Sequence, residues 1–249
     1  MLTDTQLQRI MPNLPAAKRQ LYLSGLNQAM ATYGVNTMLR TAAFAAQLAH
    51  ESGEFRWMEE IWGPTAAQLR YEPPSDLAAR LGNTQAGDGK RFKGRGPIQI
   101  TGRFNYQKYG SLLAIDLVAA PERAALPDVA FATAGLYWKS NGLNELADAQ
   151  AFVTITKRIN GGTNGLADRQ MYYERAKAVL ADGFVAGAEV RGKVGAIPPL
   201  ERGHEAMVEK PAKKVAAKKP AAKKAPAKKA AGKKAPAGKA PAVRSTRRK

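Results

Sequence analysis

The stretch NTMLRTAAFAAQLAHESG, residues 36–53, decides how the chain is read. Met38, Leu39, Ala42, Ala46 and Ala49 recur as small or apolar fillers at helical spacing, so a helix is expected from about Asn36 to Ser52. Gly53 stands where such a helix would stop. Phe44, Leu48 and Glu51 fall at i, i+4 and i+7, which puts Glu51 on the edge of the inward-packing face. Glu51 also lies in the last turn, at the negative end of the helix dipole. Partial burial and a negative helix end both disfavour a carboxylate, so both are expected to raise its pKa. A carboxyl that keeps its proton near neutral pH suits a general acid for glycoside cleavage. A solvent-exposed Glu in a C-terminal turn is the plainer reading of the same residue.

Outward from this segment the pattern stays helical. Thr3 and Asp4 can cap a short first helix, and Pro15 opens a second with Leu21, Leu23 and Met30 among its apolar positions. Ser75 can cap a short helix through Leu81. NTQAGDGKRFKGRG, residues 83–96, is Gly-rich and polar and reads as loop or short hairpin, and Pro97 permits a new helix start. Pro127 and Asp128 open VAFATAGLYWKSN, a strongly apolar helix expected at the centre. Residues 148–159 and 167–181 read as two more helices around the loop NGGTNGL. No alternating strand pattern of any length occurs, so the domain, residues 1–182, is expected to be mainly α.

Charge divides the chain. The 249 residues carry a formal net charge of +19, yet 16 Lys and Arg and no acid fall in 210–249, leaving about +3 on the remainder. Lys-Lys pairs recur every five residues from 213–214 to 233–234, a period that gives no helical face. Five prolines interrupt any helix that the alanines favour. Residues 210–249 are therefore expected to be a disordered tail, with 183–209 as a linker. Such a tail suits anionic surfaces, lipopolysaccharide phosphates or nucleic acid, and a DNA-binding protein is a competing class.

The chain has no cysteine, which excludes disulfides and a cysteine zinc site. No run reaches the roughly 18 apolar residues of a membrane helix, and the start does not read as a secretory signal. Synthesis in the cytoplasm, as a monomer, is expected.

Three further stretches carry chemistry. In FRWMEEIWGP, residues 55–64, Glu59 and Glu60 could face Glu51 across a cleft. An inverting glycosidase needs roughly 6.5–9.5 Å between its carboxyls. Trp57, Trp62 and Tyr71 offer faces on which sugars can stack, or are core. In GRGPIQITGRFNY, residues 94–106, Gly94 and Gly96 allow tight turns, while Gln99, Thr101 and Asn105 supply amides and a hydroxyl suited to sugars or water. A phosphate loop is not read here, because no Gly-Lys-Ser/Thr follows and no strand precedes. In INGGTNGLADR, residues 159–169, Asn160 lies in a polar loop and Arg169 begins a helix. A cation there is opposed by the dipole, which suggests a carboxylate partner.

With these four stretches in order, residues 1–182 resemble glycoside hydrolase family 19, the plant-type chitinases and their bacterial and phage lysin relatives. The resemblance implies a lysozyme-like α-helical glycosidase domain. AHESGEF looks like the family's His-Glu-Thr/Ser-Gly motif, which implies that Glu51 is the general acid, with His50 beside it on the substrate side. Lysin members place the general base nine positions later, which implies Glu60. By the same likeness Thr101 holds the attacking water, and Gln99, Asn105, Asn160 and Arg169 face the substrate; Trp62 is expected to join them through its stacking face. Ile61–Pro64 departs from the family's usual Asn-Leu-Asn-Tyr. Asn164 stands where plant chitinases have Glu, so a simpler charge network is expected around Arg169. The implied reaction is inverting hydrolysis of β-1,4 bonds between N-acetylated sugars. Peptidoglycan is the expected polymer and chitin the alternative, with action on the cell wall after release and no metal or cofactor needed.

Overall fold

The structure is a computed structural model that describes residues 1–184. The readings of a linker and of a basic tail lie outside the described residues, apart from Gly183 and Phe184. Among the described residues eleven α-helices follow one another: α1 (Asp4–Ile10), α2 (Ala16–Thr32), α3 (Met38–Ser52), α4 (Ala66–Leu69), α5 (Asp76–Leu81), α6 (Asp88–Arg91), α7 (Arg103–Leu113), α8 (Pro127–Ser140), α9 (Leu143–Asp148), α10 (Phe152–Asn160) and α11 (Leu166–Ala181). A 3-10 turn at Pro121–Ala125 precedes α8. Among the described residues there is no strand, only isolated bridges joining Arg95 to Glu59 and to Ile100. None of these helices is long and apolar enough to cross a membrane.

The helix starts follow from local chemistry. Thr3 forms a capping box with Gln6, Thr37 accepts from the Arg40 amide, and Ser75 accepts from the Ala78 amide. α3 is the central helix, and every residue from Thr41 to Ala49 is buried. Its alanines let neighbours approach closely, and α11 is the helix it packs against most extensively. α2 and α8 form the other main pair. Phe44 of α3 meets Trp138 of α8 edge-on at 5.1 Å, and Trp138 Nε1 donates to Asn144 Oδ1 at 2.9 Å. Tyr22, Phe55 and Phe131 form a second edge-to-face cluster.

Two sequence expectations are corrected here. Leu21 is 58% exposed, because the buried stripe of α2 runs through Tyr22, Leu26, Ala29 and Met30. That stripe satisfies the i, i+4, i+7, i+8 repeat, and Leu21 lies beside it. No helix starts at Pro97. Arg95 and Ile100 instead exchange backbone hydrogen bonds of 3.1 and 2.9 Å around a turn. Gln99 in that turn has φ +54, which an α-helix does not allow. The next helix waits until Arg103. Within the loop 83–96, α6 makes a single turn anchored by Asp88. Burial pushes the Asp88 carboxyl up, but the Arg103 guanidinium and two backbone amides outweigh it and hold it below its ordinary value.

Candidate active site

The site assembles where the last turn of α3 meets the first turn of α11. Glu51 is 7% exposed and Arg169 2% exposed. Arg169 Nη2 donates to Glu51 Oε1 at 2.7 Å. The carboxylate that the helix-start position of Arg169 calls for is thus Glu51. Arg169 also donates through Nη1 to Gln47 Oε1, and through Nε to the Asn164 carbonyl at 3.3 Å. Gln47 is oriented in turn by donating to Thr156 Oγ1 at 2.9 Å. A buried carboxylate and a buried guanidinium are therefore tied into one network from α3, α10 and α11. Loss of either partner would strand a charge out of water.

Glu59 and Glu60 are distinguished by the backbone. The Glu60 amide donates to the Gly94 carbonyl at 2.8 Å and the Gly96 amide to Met58 at 2.8 Å, so 58–60 runs antiparallel to 94–96. Successive residues of an extended segment point to opposite faces. Glu59 turns to Arg95 Nε at 2.9 Å and Lys93 Nζ at 3.3 Å. Glu60 accepts from Gln68 Nε2 and the Gly94 amide, both at 3.0 Å. Glu59 is neutralised by cations, whereas Glu60 rests on neutral donors that occupy two of its roughly four lone-pair positions. Tyr71 lies beside it. Burial and then the charge of Glu60 push the Tyr71 hydroxyl above its ordinary range.

The turn 94–102 is tied to the Glu60 segment through Gly94 and Gly96. Gln99 Nε2 donates to Gly96 O at 2.8 Å and Trp57 O at 3.1 Å, so both amide hydrogens hold the turn and only Oε1 remains for a ligand. A Cβ at Gly94 would lie 2.8 Å from that Oε1, which explains the glycine. Thr101 Oγ1 donates to Gln99 O at 3.0 Å, so a water held there would donate to it. Asn105 Nδ2 donates to Thr101 O at 2.7 Å.

In the loop before α11, Asn160 Nδ2 donates to the Asn164 carbonyl at 3.2 Å, the same oxygen that Arg169 uses. Asn164 thus joins the Arg169 network through its backbone, with no second carboxylate at this position. His50 Nδ1 lies 2.6 Å from Asp168 Oδ2. Trp57 is 42% exposed, and Trp62 is half-buried with its ring 6.3 Å from Tyr71. Tyr71 itself is 2% exposed, which decides for core between its two sequence readings. Its ring is taken up by the small cluster with Leu77 and Leu81.

Sequence reasoning missed Gln47, Thr156, Asp168, Gln68 and Glu54. Gln47 had a signal, being the one polar side chain inside AFAAQLA. Gln68 had another, as the third residue after a capping Thr65. Glu54 had none: it is buried at φ +58 and accepts from Asn13 and the Tyr172 hydroxyl.

The family model described as Chitinase class I, glycoside hydrolase family 19, matches residues 26–184. The chain belongs to glycoside hydrolase family 19. That span includes every site residue described above. A family 19 domain-containing protein of Haemophilus influenzae is 32% identical over 197 residues, covering 70% of this chain and 94% of that protein. An endochitinase of Arabidopsis thaliana is 37% identical over 145 residues, covering 58% of this chain. The match spans only 47% of that plant protein's length. Among solved structures, chitinase C from Streptomyces griseus superposes with a TM-score of 0.57 at 24% identity, covering 72% of this chain and 76% of that one. That likeness is one of fold, and it agrees with the mainly helical, lysozyme-like domain expected from the sequence.

Proposed function

We propose that this chain hydrolyses β-1,4 bonds of bacterial peptidoglycan by single displacement with inversion. One observation carries the reading: the Glu51 and Glu60 carboxyls sit in unlike surroundings, Glu51 buried against Arg169 and Glu60 half-buried on neutral donors. Carboxyls whose settings differ in this way divide the acid and base roles. In its protonated form Glu51 passes that proton to the leaving glycosidic oxygen. Arg169 then receives the carboxylate that remains. Glu60 takes a proton from a water that also donates to Thr101, and the water attacks C1 from the opposite face. Oε1 of Gln99, Oδ1 of Asn105 and the Asn160 side chain face the N-acetylated sugars, with His50 and Trp62 at the margins. The nine-residue separation of Glu51 and Glu60, shared with lysin members, favours peptidoglycan. The names of the plant relatives favour chitin.

The polymer is tested by digesting purified peptidoglycan and colloidal chitin side by side. Peptidoglycan is expected to be solubilised with N-acetylated sugar at the new reducing ends, formed first as the α-anomer. Turnover on chitin alone would give the substrate to the second reading, and a β-anomer formed first would overturn inversion.

The sequence of 210–249 supports a companion role in holding the enzyme on anionic surfaces such as lipopolysaccharide, with action at the cell wall after release. Truncation after residue 209 is expected to leave turnover on isolated peptidoglycan unchanged. Binding to lipopolysaccharide should fall at least tenfold, as loss of 16 cations implies. Unchanged binding would remove that role. Strong DNA binding by a chain without glycosidase activity would instead favour the nucleic-acid class.

A further inference from the structure

Glu51 and Arg169 are not alone in crossing from α3 to α11. The residue before each makes a second pair, His50 with Asp168, at 2.6 Å. The two pairs have opposite charge order, and the helix ends treat them differently. The negative C-terminal end of α3 opposes Glu51, and the positive N-terminal end of α11 opposes Arg169. The same ends favour a cationic His50 and an anionic Asp168. The inner pair is thus held against both dipoles and the outer pair with them. His50 has a further hold on α11. Gly165, the residue preceding that helix, has φ +70, and a Cβ there would lie 2.3 Å from His50 Cε1 and 2.5 Å from Nε2. The imidazole therefore lies directly on the Gly165 backbone.

We propose that Asp168 is a positioning residue: through His50 it keeps Arg169 seated while Glu51 carries its proton. The inference rests on the reading of Glu51 as the acid. A proton on Glu51 removes the charge attraction of the inner pair. Arg169 then keeps Gln47 Oε1 and the Asn164 carbonyl, but Asn164 belongs to the loop that leads into α11 and moves with it. The outer pair ties the first turn of α11 to α3 by a contact that does not involve Glu51. It persists whether His50 is charged or donates Nδ1–H as the neutral tautomer. When the proton leaves, the guanidinium is already in place for the new carboxylate, so no reorganisation slows the step.

The test uses Glu51→Gln, whose neutral amide stands in for the protonated acid. In the full-length E51Q chain, hydrogen exchange of Arg169 Nε–H, followed by NMR, is expected to stay slow. In E51Q/D168A it should be at least tenfold faster. E51Q/H50A breaks the same contact from the other side and should reproduce that change. Asp168 is half exposed, so α11 accepts the alanine. With Glu51 intact, Asp168→Ala should lower kcat about tenfold with KM changed less than twofold, as slight misplacement of a catalytic partner implies. Asp168→Asn, which still accepts from Nδ1–H, should recover most of the loss. Equal exchange in E51Q and E51Q/D168A overturns the proposal. An unchanged kcat in Asp168→Ala, or no recovery with Asn, does the same. Failure of Glu51 as the acid would appear separately, as normal turnover in E51Q, and leaves the exchange comparison able to decide.

Discussion

Glu51→Gln is expected to bind its glycan normally and to lose about a thousandfold in kcat, within the range that general-acid catalysis supplies. The amide keeps the size of the carboxyl, and its oxygen can still accept from Arg169 Nη2, so the network around Gln47 and Asn164 survives. It has no transferable proton for the leaving oxygen. The defect should therefore fall on kcat and leave KM close to wild type, because the proton matters only in the transition state. Turbidity loss on peptidoglycan measures it, with a calorimetric scan to confirm that the chain is folded. Near-normal turnover would remove Glu51 from the acid role. The neighbouring carboxyls give the contrast. Glu60→Gln should also lose most turnover. Glu59→Gln should lose little, since Glu59 is committed to Arg95 and Lys93 on the other face of its segment.

Much of the helical plan was legible before the structure, and for a plain reason. Caps such as Thr3 and Ser75 act within three residues, so their effect is written locally. The central position of Phe44 and Leu48 was legible too, because a 3.6-residue period is a local property. What stayed hidden depends on partners far away in sequence. The side that Leu21 faces is set by how α2 lies against α8. The turn at Pro97 is set by a pair of hydrogen bonds that close over Gln99. Adjacent Glu59 and Glu60 were indistinguishable as letters. Pairing with 94–96 sends them to opposite faces, and that pairing crosses more than thirty residues. Glu51 shows the same limit from another side. Its burial could be read from spacing, but the neighbouring cation comes from residue 169.

That cation gives the largest expected change in stability. Arg169→Ala should destabilise the domain by about 3–5 kcal/mol, because truncation leaves the Glu51 carboxylate buried without its counter-charge. In a domain of this size the melting temperature should drop by roughly 10 °C. The loss has two parts with different signatures. One is general: Gln47 Oε1 and the Asn164 carbonyl lose a donor, and a buried volume empties. The other is the stranded charge, and it exists only while Glu51 can ionise. Arg169→Ala introduced into Glu51→Gln should therefore be milder than Arg169→Ala alone, by about 2 kcal/mol in a double-mutant cycle from urea unfolding. A coupling of that sign identifies the ion pair as the source. Strictly additive losses would show that Arg169 holds the fold through its neutral acceptors alone, and the buried pair would then have to be explained by catalysis and not by stability.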